Sequence, residues 1–145
     1  MSYLIKLLIE NEMAMHDLYA FFAEKYPEHA YFWMAIANDE KHHAQFLEDI
    51  QSKNTEVNEK LLNTRQVQNS IDHVKSISKK LESGEEFTIL QAVSAAINIE
   101  NSIVEMNFFK PFDLSPEDVL KSIETIRTET KGHYKKMKDL KDSLR

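Results

Sequence analysis

Glu40-Lys41-His42-His43 sets a carboxylate and an imidazole three residues apart. On a helix the two lie about 60° apart around the axis and share a face, while His42 points elsewhere. Carboxylate oxygen and imidazole nitrogen on one face are metal donors, and the same residue types recur along the chain. At three- and four-residue steps, Ile5, Leu8, Glu12, Met15, Tyr19 and Phe22 form one apolar stripe, and Phe32, Ile36, Glu40, His43, Leu47 and Ile50 form a second. Leu90, Val93, Ile97, Glu100, Val104 and Asn107 form a third, and Val119, Ile123, Ile126, Thr130, His133, Met137 and Leu140 a fourth. Each stripe is interrupted near its middle by polar groups. Burying a carboxylate without compensation is costly and drives it to protonate, and a divalent cation removes that penalty.

Positioning these groups requires long helices, and the punctuation supplies their limits. Proline in Tyr26-Pro27-Glu28 suits the first turn of a new helix, which predicts helices over Ser2 to Lys25 and Glu28 to Ser52. A polar stretch, Lys53 to Asn63, leads to a predicted crossover helix, Thr64 to Leu81, with Ser83-Gly84 as a left-handed stop. Helices over Glu86 to Phe109 and Pro116 to Leu144 follow, with Ser115-Pro116-Glu117-Asp118 read as N-cap, N1 proline and first-turn acids. Two tight hairpins joined by a long connection predict an all-α, ferritin-like four-helix bundle with one helical crossover, built as a single domain over residues 1–145. An irregular five-helix domain is the alternative. Glu12 lies 15 residues before Pro27 and Glu40 lies 13 after it. At the helical rise this places them within about 3 Å of one level. Glu100 and Thr130 match in the same way around the second turn.

Composition narrows the chemistry. The chain has 145 residues, no cysteine and a formal net charge of -6. Without cysteine there is no thiolate zinc site and no iron–sulfur or rubredoxin-type centre, so any metal sits on oxygen and nitrogen. Such donors suit iron or manganese. The acidic balance argues against nucleic acid as a partner, no apolar run is long enough for a membrane span, and the N-terminus lacks signal-peptide order, so the expected location is the cytoplasm.

At these residues the sequence resembles the rubrerythrin-like branch of the ferritin-like family. The resemblance covers most of the chain outside the crossover. Glu12 with Asp17, Leu18 and Tyr19 is similar to the family's first-helix pattern, Glu100 with Glu105 and Met106 repeats its spacing, and Glu40 with His43 is similar to the first Glu-x-x-His. The second falls on Thr130-Lys131-Gly132-His133, where the glutamate is missing and Asn107 stands where the first half has Tyr19. The family's six-ligand di-iron set implies five surviving ligands here: Glu12, Glu40, His43, Glu100 and His133. Glu129, four residues before His133, is the expected substitute. Gly132, unusual in a helix, offers a local distortion that would re-aim it.

The resemblance implies one or two iron ions, with manganese as a second choice, and a non-haem oxidoreductase acting on dioxygen, peroxide or ferrous iron. An external electron donor is implied too, and a homodimer is the expected assembly. Each glutamate taken alone reads equally well as an edge residue reaching solvent, and the coincidence of four stripes is what favours a metal. Two other readings stand beside the oxidoreductase. One is a helical interaction or sensing protein with a degenerate site; the other is a metal that only stabilises the fold. Tyr19 reads as a core aromatic. His16 lies within reach of the site, whereas His29, His42 and His73 read as solvated. Phe21, Phe22, Tyr31, Phe32 and Trp33 read as bundle packing or an oligomer contact.

Overall fold

The computed structural model describes residues 2–144, and within them the only regular elements are helices. The long helices are α1 (Tyr3–Lys25), α2 (Ala30–Ser52), α3 (Thr64–Glu82), α4 (Ile89–Glu105) and α5 (Glu117–Ser143). Short 3₁₀ turns occupy Pro27–His29, Glu59–Leu61 and Lys110–Phe112. Together they form a helical bundle. None of the described helices is long and apolar enough to cross a membrane.

Pro27 does not open the second helix directly. It begins the 3₁₀ turn, and α2 starts at Ala30. The turn folds α2 back along α1, the most extensive pairing in the molecule. Tyr26 fastens this corner by donating its hydroxyl proton to the carbonyl of Phe87 at 2.6 Å. Gly84 ends α3 as expected: it adopts φ +92°, a conformation costly for side chains with a Cβ, and the amides of Gly84 and Glu85 close a Schellman motif on Leu81 and Lys80.

The fourth helix is shorter than the 86–109 expected from sequence. Thr88 and Gln91 make a reciprocal capping box that starts α4 at Ile89. At the other end Asn107, at φ +47°, closes a second Schellman motif, with the amides of Asn107 and Phe108 bonded to the carbonyls of Val104 and Ile103. Asn107 is therefore an exposed helix stop and not part of a buried stripe. Leu90 and Val104 are also exposed, and the buried row is Ala92, Val93, Ala96, Ile99, Glu100 and Ile103. Phe108, Phe109, Pro111 and Phe112 then turn inward and plug the end of the bundle. The cap of α5 is Pro116 and makes no side-chain bond; Ser115 does not take that role.

Helix α3 spans the gap between hairpins by lying along α1. It buries Val67, Ile71, Val74, Ile77 and Leu81 at three- and four-residue spacing. This contact explains why α1 buries a second row, Leu4, Leu7, Asn11, Ala14 and Leu18, beside its predicted stripe. At mid-row the Ser70 hydroxyl donates to Asn11 Oδ1 at 2.7 Å, satisfying a buried amide oxygen. On the other side of α1 the core is aromatic: Trp33 packs edge-on against Phe22 at 4.9 Å and tilted against Tyr19 at 5.7 Å between ring centres. Phe21 and Phe32 are partly buried against the core, while Tyr31 is 90% exposed.

Candidate metal centre

Four helices deliver one buried polar cluster. Glu12 comes from α1, Glu40 and His43 from α2, Glu100 from α4 and His133 from α5, and all five are essentially inaccessible to solvent. Their donor atoms fall into two groups, Glu12–Glu40–His43 and Glu40–Glu100–His133, each with all three atoms within 4.8 Å of one another. Glu40 belongs to both. The level matching expected from the two turns thus places all five predicted donors together.

The imidazoles face this cluster with Nδ1. His43 Nδ1 lies 3.7 Å from carboxylate oxygens of both Glu12 and Glu40, beyond hydrogen-bond distance. His133 Nδ1 lies 2.8 Å from Glu40 Oε1 and donates to Glu100 Oε1 at 3.0 Å. The two rings stack with centres 6.0 Å apart. Each outward nitrogen has its own carboxylate: His43 Nε2 is 2.8 Å from Glu129, and His133 Nε2 is 2.9 Å from Asp39. Such outer partners fix the ring orientation and tautomer of a ligating histidine.

Glu129 therefore stands on the outer nitrogen of His43 and is in neither donor group, so the substitution expected from sequence is not the arrangement found. The reason is angular. Glu129 is one residue from Thr130, about 100° around the helix, and its half-exposed carboxylate leaves the core before it can turn inward. Helix α5 runs unbroken through Gly132, which supplies no distortion. Asp39 has the same relation to Glu40 and was not singled out, because it lies off the apolar stripe. The signal was the repeat: an acid immediately precedes the stripe position in Asp39-Glu40 and in Glu129-Thr130. Thr130 turns away, donating its hydroxyl proton to the Ile126 carbonyl at 2.8 Å.

Electrostatically the centre is incomplete as protein alone. Burial, with the Glu40 charge beside it, pushes the Glu12 carboxyl up to about 8 from an ordinary 4.5. Burial likewise raises Glu100, opposed by His133. Burial opposes charging of the histidines, but the carboxylates outweigh it: Glu12 and Glu40 push His43 up to about 12, and Glu100 and Glu40 push His133 up to about 11. Even so, Glu12 Oε2, Glu40 Oε2, His43 Nδ1 and Glu100 Oε2 are buried without a hydrogen-bond partner, and Glu40 Oε1 has only the His133 nitrogen at 2.8 Å. Four orphaned donor atoms converging from three helices fit a cation, whose binding displaces the protons and satisfies the lone pairs.

The other residues singled out by sequence fall outside these groups. His16 donates from Nδ1 to the Ala37 carbonyl at 2.8 Å, tying α1 to α2. His42 and His73 are exposed, and His29 is half-buried. Tyr19 is fully buried with its hydroxyl unpartnered, and burial and then the charges of Glu100, Glu40 and Glu12 raise its pKa well above the usual phenol value. The molecule is thus a helical bundle with a buried carboxylate–histidine centre able to hold a metal ion. Comparison of the chain with protein-family models, with curated proteins and with solved structures gives no match. The reading of the centre rests on its own geometry.

Proposed function

We propose that this chain is a ferritin-like metalloprotein of the rubrerythrin-like kind, a non-haem iron oxidoreductase acting on dioxygen, peroxide or ferrous iron. The observation that carries this reading is the convergence of orphaned donor atoms on two groups sharing Glu40. Glu12 and His43 would hold one ion, Glu100 and His133 a second, with Glu40 common to both. Carboxylate and imidazole donors without thiolate suit iron, or manganese in its place. Bound iron supplies one-electron chemistry toward the oxidant. The residues around it bind, orient and exclude water: Asp39 and Glu129 hold the imidazoles, and the Tyr19–Phe22–Trp33 packing keeps one side dry. Lacking cysteine, the chain has no thiolate-bound iron centre of its own, and a separate protein would supply electrons.

The test is metal content per chain after anaerobic, iron-replete purification, with Glu40→Ala and Glu100→Ala prepared alongside. About two ions in the parent, lost in Glu40→Ala and reduced in Glu100→Ala, supports the di-iron form and makes peroxide consumption the next assay. About one ion supports a lopsided centre. None in the parent rejects the oxidoreductase reading. Thr130 favours a second reading, because its hydroxyl is committed to Ile126 and leaves that corner without a donor. This would be an interaction or sensing protein whose centre is structural or degenerate, with bound metal raising the melting temperature and no oxidant turnover.

A further inference from the structure

Helix α4 carries no charged residue from Phe87 to Val104 except the buried Glu100. In a chain that is 29% charged, this leaves its outer side neutral. Leu90, Ile97 and Val104 recur there every seven residues; Leu90 and Val104 are exposed and Ile97 is half-buried. Beside this row α5 is basic. From Lys131 to Lys141 it has five lysines against one aspartate, although the whole chain stands at -6. Lys131, Lys135 and Lys138 are exposed at three- and four-residue steps, where like charges repel and weaken a helix. Among the described residues the only lysine in an ion pair is Lys53. Lys138 has an aromatic neighbour instead, its Nζ lying 5.3 Å from the centre of the Tyr134 ring. Attraction to the helix C-terminus does not account for the stripe, because that effect fades beyond the last turn and Lys131 and Lys135 lie more than two turns before Ser143.

The two rows are in register. Val104 and Lys131 line one cleft between the helices. Because the hairpin is antiparallel, Ile97, two turns back along α4, comes level with Lys138, two turns on along α5. Over these two turns neither helix exposes a carboxylate. An apolar row flanked by unpaired cations has the composition of an interface whose partner is acidic. The negative charge of the rest of the chain repels an extended polyanion, so the face suits a compact protein that meets this hairpin alone. The face also overlies the centre: Asn101 follows Glu100 and Tyr134 follows His133, near the middle of the two rows. The thickness of one helix, about 10 Å, separates it from the Glu40–Glu100–His133 group.

We propose that the outer face of α4 and α5 docks the electron donor of the centre, a small one-electron carrier protein with an acidic face, whose carboxylates meet Lys131, Lys135 and Lys138 and whose apolar contacts cover Ile97 and Val104. This rests on the oxidoreductase reading above and names the partner of that centre. On docking, one electron leaves the reduced carrier and one ferric ion of the centre becomes ferrous; no bond forms or breaks.

The experiment measures binding of a plant-type [2Fe–2S] ferredoxin, an acidic one-electron carrier, to the metal-free protein by isothermal titration at low salt and at about 0.5 M salt. The parent is compared with Lys131→Glu/Lys138→Glu and, as a control on α3, Lys75→Glu/Lys79→Glu. The expected result is an affinity that falls about tenfold with salt and about tenfold in the α5 variant, with the α3 variant unchanged. Val104→Asp weakens it severalfold. In iron-loaded protein the rate at which reduced ferredoxin is oxidised falls by the same factor in the α5 variant, at unchanged iron content. Equal binding by the parent and the α5 variant, or none by the parent at low salt, overturns the docking surface. So does a parent that sediments as a dimer and turns monomeric in the α5 variant, which assigns the face to a second copy, or equally tight binding to phosphatidylserine vesicles. Docking through the lysines with no ferredoxin oxidised by the loaded protein rejects electron delivery and the oxidoreductase reading together, leaving an acidic-protein surface. Oxidation at one rate in parent and α5 variant overturns the docking surface and leaves the oxidoreductase reading intact. Should the reversed pair fail to fold, Lys131→Gln/Lys138→Gln decides the matter.

Discussion

At the scale of single residues, the centre is a set of proton-sharing groups that a cation would reorganise. The sign of its pH dependence follows from the direction of each shift. Glu12 is raised to about 8, so its folded form holds a proton that the unfolded chain releases near 4.5, and metal-free stability falls as pH rises between those values. His43 and His133, raised to about 12 and about 11 from 6.5, add stability that is complete below 6.5 and declines as pH climbs toward their folded values. Both effects run the same way. Chelator-treated protein should therefore melt at progressively lower temperature from pH 6.5 to 8, and Glu12→Gln should flatten that slope. Metal affinity should rise over the same interval, because binding expels these protons. Asp39→Asn removes the anion that holds His133 and should weaken metal binding by roughly 10- to 100-fold with little change in secondary structure, measurable by competition against a calibrated chelator. Unchanged affinity would show that Asp39 has no hand in orienting the ring.

At the scale of helices, the elements differ in how well each is finished. Helix α4 is closed at both ends by its own sequence, through Thr88–Gln91 and Asn107. Thr88→Ala removes the cap bond to the Gln91 amide and should cost about 1 kcal/mol in denaturant unfolding. Helix α5 has the opposite character: its cap is a proline without a side-chain bond, and Gly132 sits one residue before His133. A Cβ built at Gly132 would meet nothing within 4 Å, and its φ is outside the left-handed region. Gly132→Ala should accordingly stabilise the protein by about 1 kcal/mol. A loss instead would mean that α5 must bend there to seat His133.

For the molecule as a whole, the connection between hairpins is itself part of the core. Helix α3 covers one side of α1 while α2 covers another, so α1 is the central pillar. Trp33, the single tryptophan, is fully buried against Phe22 and Tyr19 on the side of α1 that meets α2. Its emission should be blue-shifted in the native state. Because α3 packs on the same pillar, fluorescence and far-ultraviolet circular dichroism should report one denaturant transition at one midpoint. An earlier loss of dichroism would show α3 detaching first.

The order of the helices, most of their limits and the level of each buried donor were legible in the sequence alone, because they depend on local periodicity and on turn chemistry. Pro27 and Gly84 mark the ends of segments through their own backbone preferences, and Glu12, Glu40, His43, Glu100 and His133 interrupt stripes whose period is visible without a fold. The misplaced end of α4 was local too, but Asn107 satisfied the three- and four-residue spacing and so was counted as buried when it is the left-handed residue that stops the helix. Tertiary structure decided the rest. That α3 lies on α1 and that Asp39 reaches His133 while Glu129 reaches His43 both depend on how the hairpins meet. Those contacts join residues up to 94 positions apart, and periodicity along one helix carries no information about the rotation of its neighbour.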